Sequence, residues 1–184
     1  MFRLAIVVAA AAALMPAAAQ ADPALDAFQS LCMATSAEAK QVRARAADQG
    51  FVAPPPEVQA KLVLPNIKAA SSLWKATDNG VLIVVWGEGP TQGIPGLSDS
   101  CVVAASPVRD NPDALLQGLL GVGPPRPGPV PLFVYADKAG ARKALKVGDQ
   151  QGAIEALSAR RLRFAAVRND ASFTWISLSA PRGQ

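Results

Sequence analysis

The chain has 184 residues, with 18 Lys and Arg against 14 Asp and Glu, no histidine and two cysteines. Without histidine the usual general base and the commonest metal ligand are missing, so Ser-His-Asp, Cys-His and His-bearing zinc sites are excluded. A net charge of +4, spread along the chain with only Arg160, Arg161 and Arg163 close together, is too weak a stripe for nucleic acid, and the triplet reads as a solvated face or strand edge.

The first 21 residues read as a cleavable secretory signal peptide. Arg3 supplies a positive start, Leu4 to Met15 form an uncharged apolar run too short to span a bilayer, and Pro16 breaks any helix. Ala19-Gln20-Ala21 offers the small-x-small pattern of a cleavage site, so the mature chain is expected to begin at Asp22. The alternative is an uncleaved N-terminal anchor; a lipoprotein is disfavoured because no cysteine follows the cleavage box. Residues 22–184 have the length of a single domain, expected in the periplasm or secreted, with no transmembrane anchor after processing.

Asp22-Pro23 pairs a capping side chain with a proline at the first helical position, and Leu25, Phe28, Leu31 and Cys32 then fall on one helical face. Thr35 and Glu38 have the spacing of a capping box, which predicts a second helix over 37–49 ended by Gly50. Pro54, Pro55 and Pro56 make a stiff connection before a short helical turn at 57–62. From there the period changes. Leu73 to Thr77 and Val81 to Trp86 read as strands around an Asn79-Gly80 hairpin turn, whose residues tolerate positive φ. The second of these strands is apolar on both faces and is expected at the centre of its sheet. Residues 87–99 read as a Gly- and Pro-bearing loop before a strand at Cys101 to Ala105.

Asn111-Pro112 opens a leucine-striped helix that ends at Gly121, and the five prolines and three glycines of 121–131 predict an extended surface segment. Strands are expected at 132–136 and 142–147, a short helix at 153–160, and a closing hairpin from 162–167 and 173–178. Helices followed by hairpins imply an α+β fold: a largely antiparallel sheet of about five to seven strands, packed by N-terminal helices and one or two inserted helices.

Several short patterns have chemical readings. Ser72-Leu73-Trp74-Lys75 matches the Ser-x-x-Lys of penicillin-binding proteins, but on a strand positions i and i+3 face opposite sides, so Lys75 could not activate Ser72. Gly87, Gly89 and Gly93 lack the dinucleotide spacing, and Pro90 and Pro95 prevent the helix that would hold a phosphate. Trp74, Trp86 and Trp175 fall on strands, where core packing is the ordinary role and a ligand-stacking platform the alternative. Pro124-Pro125-Arg126-Pro127 resembles a polyproline ligand but also suits a rigid crossing of the surface. Cys32 and Cys101 are expected to form a disulfide in an oxidising compartment, two separately buried thiols being the alternative.

Phe28-x-x-x-Cys32 in a first helix, the Thr35/Glu38 box and the Cys101 strand together resemble small exported proteobacterial proteins of unknown function. That resemblance implies export and carries no activity or site residue. The residues assemble no catalytic, cofactor or metal constellation, which points to a non-catalytic module binding a protein or small-molecule ligand beside the loops at 87–99 and 121–131. Glu88 and Asp99 are the candidate binding residues. A histidine-free hydrolase or other enzyme using these carboxylates is the alternative, with a structural envelope-associated protein as the third; lysine and tyrosine remain open as catalytic groups.

Overall fold

In the computed structural model, which describes residues 22–59, 62, 67–91 and 94–182 but not the side chains at 69, 91 and 94–96, Asp22 caps the first helix as its spacing requires. The expected signal peptide and its cleavage box lie outside the described residues. The Asp22 carboxylate accepts from the Ala24 amide at 2.8 Å and pairs with Arg109 Nε at 2.9 Å, which ties the start of α1 (Pro23–Ala27) to a distant loop. The helix continues as a π-helical turn, Phe28–Met33, burying Phe28, Leu31 and Cys32. Helix α2 spans Ala39–Asp48 and stops at Gly50, whose φ is +80°.

The link between these helices corrects the expected capping box. Thr35 is buried, and its hydroxyl donates back to the carbonyls of Leu31 and Cys32 at 2.5 and 3.2 Å. Glu38 is itself the N-cap of α2 and makes no capping bond with its side chain. The chain turns instead through Ser36 and Ala37, both at positive φ. Helix α3 is the single turn Pro56–Gln59.

Seven strands form one antiparallel sheet: β1 (Lys68–Thr77), β2 (Gly80–Thr91), β3 (Ile94–Ser106), β4 (Leu132–Lys138), β5 (Ala141–Ala144), β6 (Leu162–Asn169) and β7 (Thr174–Pro181). Their order across the sheet is β1-β2-β3-β7-β6-β4-β5. Helix α4 (Pro112–Leu120) lies between β3 and β4, and α5 (Gln150–Ser158) between β5 and β6. The α+β architecture is thus as the pattern predicts, but VLIVVW, in β2, is paired on both sides one strand in from the β1 edge and not at the centre, which β7 occupies. Asn111 precedes α4 at positive φ with no side-chain capping bond, so Pro112 alone of the expected start signal acts there.

Two turns differ from expectation. Thr77 pairs with Gly80, so Asp78 and Asn79 form the first hairpin turn and neither has positive φ. Gly80, at φ +151°, is required because a Cβ there would overlap the Ser106 carbonyl oxygen. The expected loop at 87–99 is largely strand: β2 runs through Gly87, Glu88, Gly89 and Pro90, paired with Ser100, Asp99, Ser98 and Leu97 of β3. Gly87 marks a close approach rather than a flexible connection, since a Cβ would lie 2.5 Å from Ile67 Cγ2 and 2.7 Å from the Lys68 carbonyl oxygen. Gly93 lies outside the described residues.

Alternation along the strands divides the sheet into two faces. On one, Leu82, Val84 and Trp86 of β2, Val103 of β3 and Ile176 and Leu178 of β7 pack with Phe28, Leu31, Val42, Leu116 and Leu120 of the helices. Burial of each large side chain contributes about 1.5–3 kcal/mol, so this layer supplies the main core. Cys32 and Cys101 meet within it: their sulfurs are at bonding distance, 1.96 Å, and their Cα atoms 5.4 Å apart, as the disulfide expectation requires. On the other face, among the described residues, cover by helical segments is confined to the flanks. Val58, Leu62 and Ile67 pack over Ile83 and Val85 at one side, while α5 brings Ala156 over Val134, Leu145 and Leu162 at the other.

Candidate binding groove

Between those two flanks the second face of β3, β7 and β6 carries a groove of about 680 Å³. Strand alternation builds its floor. The residues that flank core-facing Cys101, Val103, Ile176 and Leu178 are Ser100 and Val102 on β3, with Trp175, Ser177 and Ser179 on β7. β6 adds Ala166 and Arg168, and β4 adds Leu132. Small side chains at four of these positions, Ser100, Ala166, Ser177 and Ser179, leave the space that bulky residues would fill. Ile67 and Pro90 form one wall; Arg126, Pro127, Gly128, Pro129 and Val130 form the other. The expected surface crossing at 121–131 is therefore also a groove wall, with prolines that limit its freedom and a backbone bridge between Arg126 and Leu132 that anchors it.

The floor combines an apolar strip with hydroxyls that are only loosely engaged. Ser100 and Ser179 face each other with their oxygens 3.4 Å apart, and Ser177 donates to the Ala166 carbonyl at 3.3 Å. Trp175 is 9 % exposed and packs with Ile83, Val85, Val102 and Ala104, so it is both a core residue and part of the groove lining. Its indole donates to Asp170 at 2.5 Å, its ring lies 5.7 Å from that of Phe173, and the Arg168 guanidinium sits 5.6 Å from its centroid. Asp170 is held below the usual carboxylate range by the Ser172 and Phe173 amides first, then by the indole, with the Arg168 charge adding to them. On the opposite wall, Arg126 Nη2 makes two long contacts of 3.4 Å to the Leu145 and Lys146 carbonyls, while its buried Nε has no hydrogen-bond partner among the described residues.

The residues singled out from the sequence lie elsewhere. Glu88 and Asp99 are cross-strand neighbours in the register that pairs Trp86 with Cys101, on the helix-covered face rather than on a solvated loop. Both carboxylates converge on Arg182. Its Nη2 is 2.9 Å from Glu88 Oε1, its Nε donates to Asp99 Oδ2 at 3.0 Å, and its Nη2 also bonds Asp99 Oδ1. These bonds, that to Asp99 foremost, raise the Arg182 pKa and leave the carboxylates engaged as an ion triad. Neither lines the groove.

Other chemical candidates are similarly placed. Ser72 and Lys75 lie on β1, and the Lys75 ammonium donates to the Gln49 carbonyl at 2.8 Å. A smaller hollow of about 340 Å³ is lined by Ser36, Asp137, Arg142 and Arg163. Arg163 is not a solvated residue: it donates to the Arg160 and Leu162 carbonyls and to Ser36 Oγ, and burial lowers its pKa. The sole tyrosine, Tyr135, is buried, and desolvation pushes its pKa up to about 12, so it stays protonated at neutral pH. Among the described residues no three of Asp, Glu and Cys gather where they could hold a metal ion, and no helix is long and apolar enough to cross a membrane.

Sequence reasoning reached Trp175 as a possible platform and 121–131 as a candidate loop, but it missed Ser100, Ser177, Ser179, Arg126 and Arg168. The usable signal was the alternation Trp175-Ile176-Ser177-Leu178-Ser179, which marks one apolar and one polar face within the closing hairpin. No family model, no curated protein and no solved structure matches the chain.

Proposed function

We propose that the chain is an exported, non-catalytic binding module that holds a small-molecule ligand in the groove on the open face of its sheet. The observation that carries this reading is the groove itself: an apolar strip of Val102, Trp175 and Leu132 beside three serine hydroxyls and two arginines. A concave site of roughly 300–1,000 Å³ with a few convergent polar groups is the usual form of a small-molecule site. Carboxylate catalysis gains no comparable support, because Glu88 and Asp99 meet on Arg182 and not in a cavity. Export to the periplasm or medium is supported by the apolar N-terminal run with its cleavage box and by the Cys32–Cys101 pair, a bond that persists in oxidising compartments.

The test is amide and indole chemical-shift mapping of isotope-labelled protein against a library of small organic fragments. Binders should perturb Ser100, Arg126, Trp175 and Ser177 together. Perturbations centred on Glu88 and Asp99, or no saturable perturbation near Trp175, would reject the reading.

A further inference from the structure

We infer that the ligand of this groove is an amphipathic anion: a flat or elongated apolar body that carries a sulfonate-, carboxylate- or phosphate-type group. The inference rests on the reading of the groove as the binding site and goes on to its chemistry. Two observations support it. Among the described residues the lining holds two arginines, Arg126 and Arg168, and no Asp or Glu. Asp170 stands beside the groove as an ionised carboxylate held by the Ser172 and Phe173 amides and the Trp175 indole, and its charge offsets Arg168 in part, which leaves Arg126 as the main anion-binding group.

The second observation is the state of Arg126, which is half-buried on the groove wall. A guanidinium presents five donors, and carboxylates or carbonyls ordinarily fill those that are out of water. Here Nη2 reaches two carbonyls only at 3.4 Å, and the buried Nε meets no acceptor among the described residues. The Nη2 group, engaged only at the limit of hydrogen-bond distance, can turn to an oxyanion on this wall and give it a charge-assisted bond. Ser100, Ser177 and Ser179 add hydroxyl donors along the floor, while Val102, Leu132 and the Trp175 ring offer apolar contact for the body of the ligand. A cationic ligand would meet two like charges in this lining, with Asp170 beside Arg168 as the counter-charge at one end.

The experiment compares two fluorescent probes that share one ring system: 1-anilinonaphthalene-8-sulfonate, which is anionic, and N-phenyl-1-naphthylamine, which lacks the sulfonate. Titrated into the folded, disulfide-bonded protein, the sulfonate should bind saturably and at least about tenfold more tightly than the neutral probe. Its affinity should fall with added salt, and Trp175 emission should be quenched as it binds. The paired substitutions Arg126→Gln and Arg168→Gln should bring the sulfonate down to the level of the neutral probe and leave the neutral probe unchanged. Arg168→Gln alone, at an exposed position, provides a variant whose folding is not in question. Ser177→Phe, or Ala166→Leu if the first variant loses its near-ultraviolet circular dichroism, fills the floor and should abolish binding of both probes. Equal affinity for the two probes, indifference to the arginine changes, or no binding of the sulfonate would overturn the anion assignment. Probe binding that survives the filled floor would overturn the groove reading itself.

Discussion

Removing the Cys32–Cys101 bond should cost the protein a large part of its stability, and the pattern of single and double substitutions should show why. The two cysteines are 69 residues apart in sequence and both are fully buried between the π-helical turn and β3. Closing a loop of that size removes unfolded-state entropy equivalent to roughly 4 kcal/mol, against about 5–15 kcal/mol for a whole domain. Alanine is the right replacement, because serine would leave a buried hydroxyl without a partner and add about 1–3 kcal/mol of its own. In urea, where a domain of this size loses about 1–3 kcal/mol of stability per molar, the midpoint should fall by about 2 M. Cys32→Ala alone breaks the bond, so it should lose nearly the whole amount, and adding Cys101→Ala should change little more. Two separately buried thiols would behave differently, with two modest and additive costs, because independent sites add. Urea unfolding followed by tryptophan fluorescence, with reductant present for the single variants, separates the outcomes. A midpoint shift below about 0.5 M in the double variant, or additive single effects, would refute the reasoning.

Asp99→Ala should cost about 1–2 kcal/mol, because a side chain only 16 % exposed holds Arg182 with both its oxygens. Glu88→Ala, at a 44 % exposed side chain with one bond, should stay within about 0.5 kcal/mol; equal losses in urea unfolding would contradict the geometry. Asp170 is depressed in the folded state, so its contribution to stability is present above the ordinary carboxyl pKa of about 3.9 and is lost as pH falls through the lower folded value. The Trp175 indole proton resonance should therefore titrate with a midpoint below about pH 3.9 and become insensitive in Asp170→Asn; a midpoint at or above that value would exclude the depressed carboxyl. Expressed with its full N-terminus in a Gram-negative host, the protein recovered outside the cytoplasm should have the intact mass of a chain beginning at Asp22. Recovery from the membrane with Met1 retained would reject cleavage.

Periodic features were legible before the fold was seen, and features set by long-range contact were not. The leucine stripe of α4 and the alternation of β6 and β7 depend only on local spacing, and each appears within a few residues of its expected bounds. Gly87, Gly89 and Pro90 failed as loop signals because composition cannot distinguish a glycine that frees the chain from one that admits a neighbour. At Gly87 the neighbour is Ile67, on the approach to β1. Thr35 and Glu38 have capping-box spacing, yet the hydroxyl of Thr35 is drawn backward by carbonyls of the π-helical turn, a local competitor that spacing does not reveal. Glu88 and Asp99 were recognisable as a pair of acids, but their common partner, Arg182, comes from the far end of the chain. The groove is the extreme case: Arg126 reaches it from a loop and Trp175 from the last strand, and only the order β3-β7-β6-β4 brings the two walls to one floor.

That order also explains why an open groove exists at all. Seven strands at about 4.8 Å spacing make a sheet roughly 30 Å wide, whereas a helix covers about 10 Å. On the core face α1 with its π-helical turn, α2 and α4 bring enough apolar surface to cover the middle of the sheet. Among the described residues the other face has only α5, nine residues long, and the short segment around α3, and both pack at the flanks. The side chains follow the cover. Under the α3 flank β2 carries Ile83 and Val85, and under α5 the strands carry Val134 and Leu162, all buried. In the uncovered middle the corresponding positions are Ser100, Ala166, Ser177 and Ser179, small residues that tolerate water. Val102 and Trp175 belong to the same buried cluster as Ile83 and Val85, so the core of the α3 flank runs out to the groove and forms its apolar edge. An apolar edge that meets small polar residues, beside an arginine whose Nη2 reaches carbonyls only at 3.4 Å, is what a site shaped for an amphipathic anion requires.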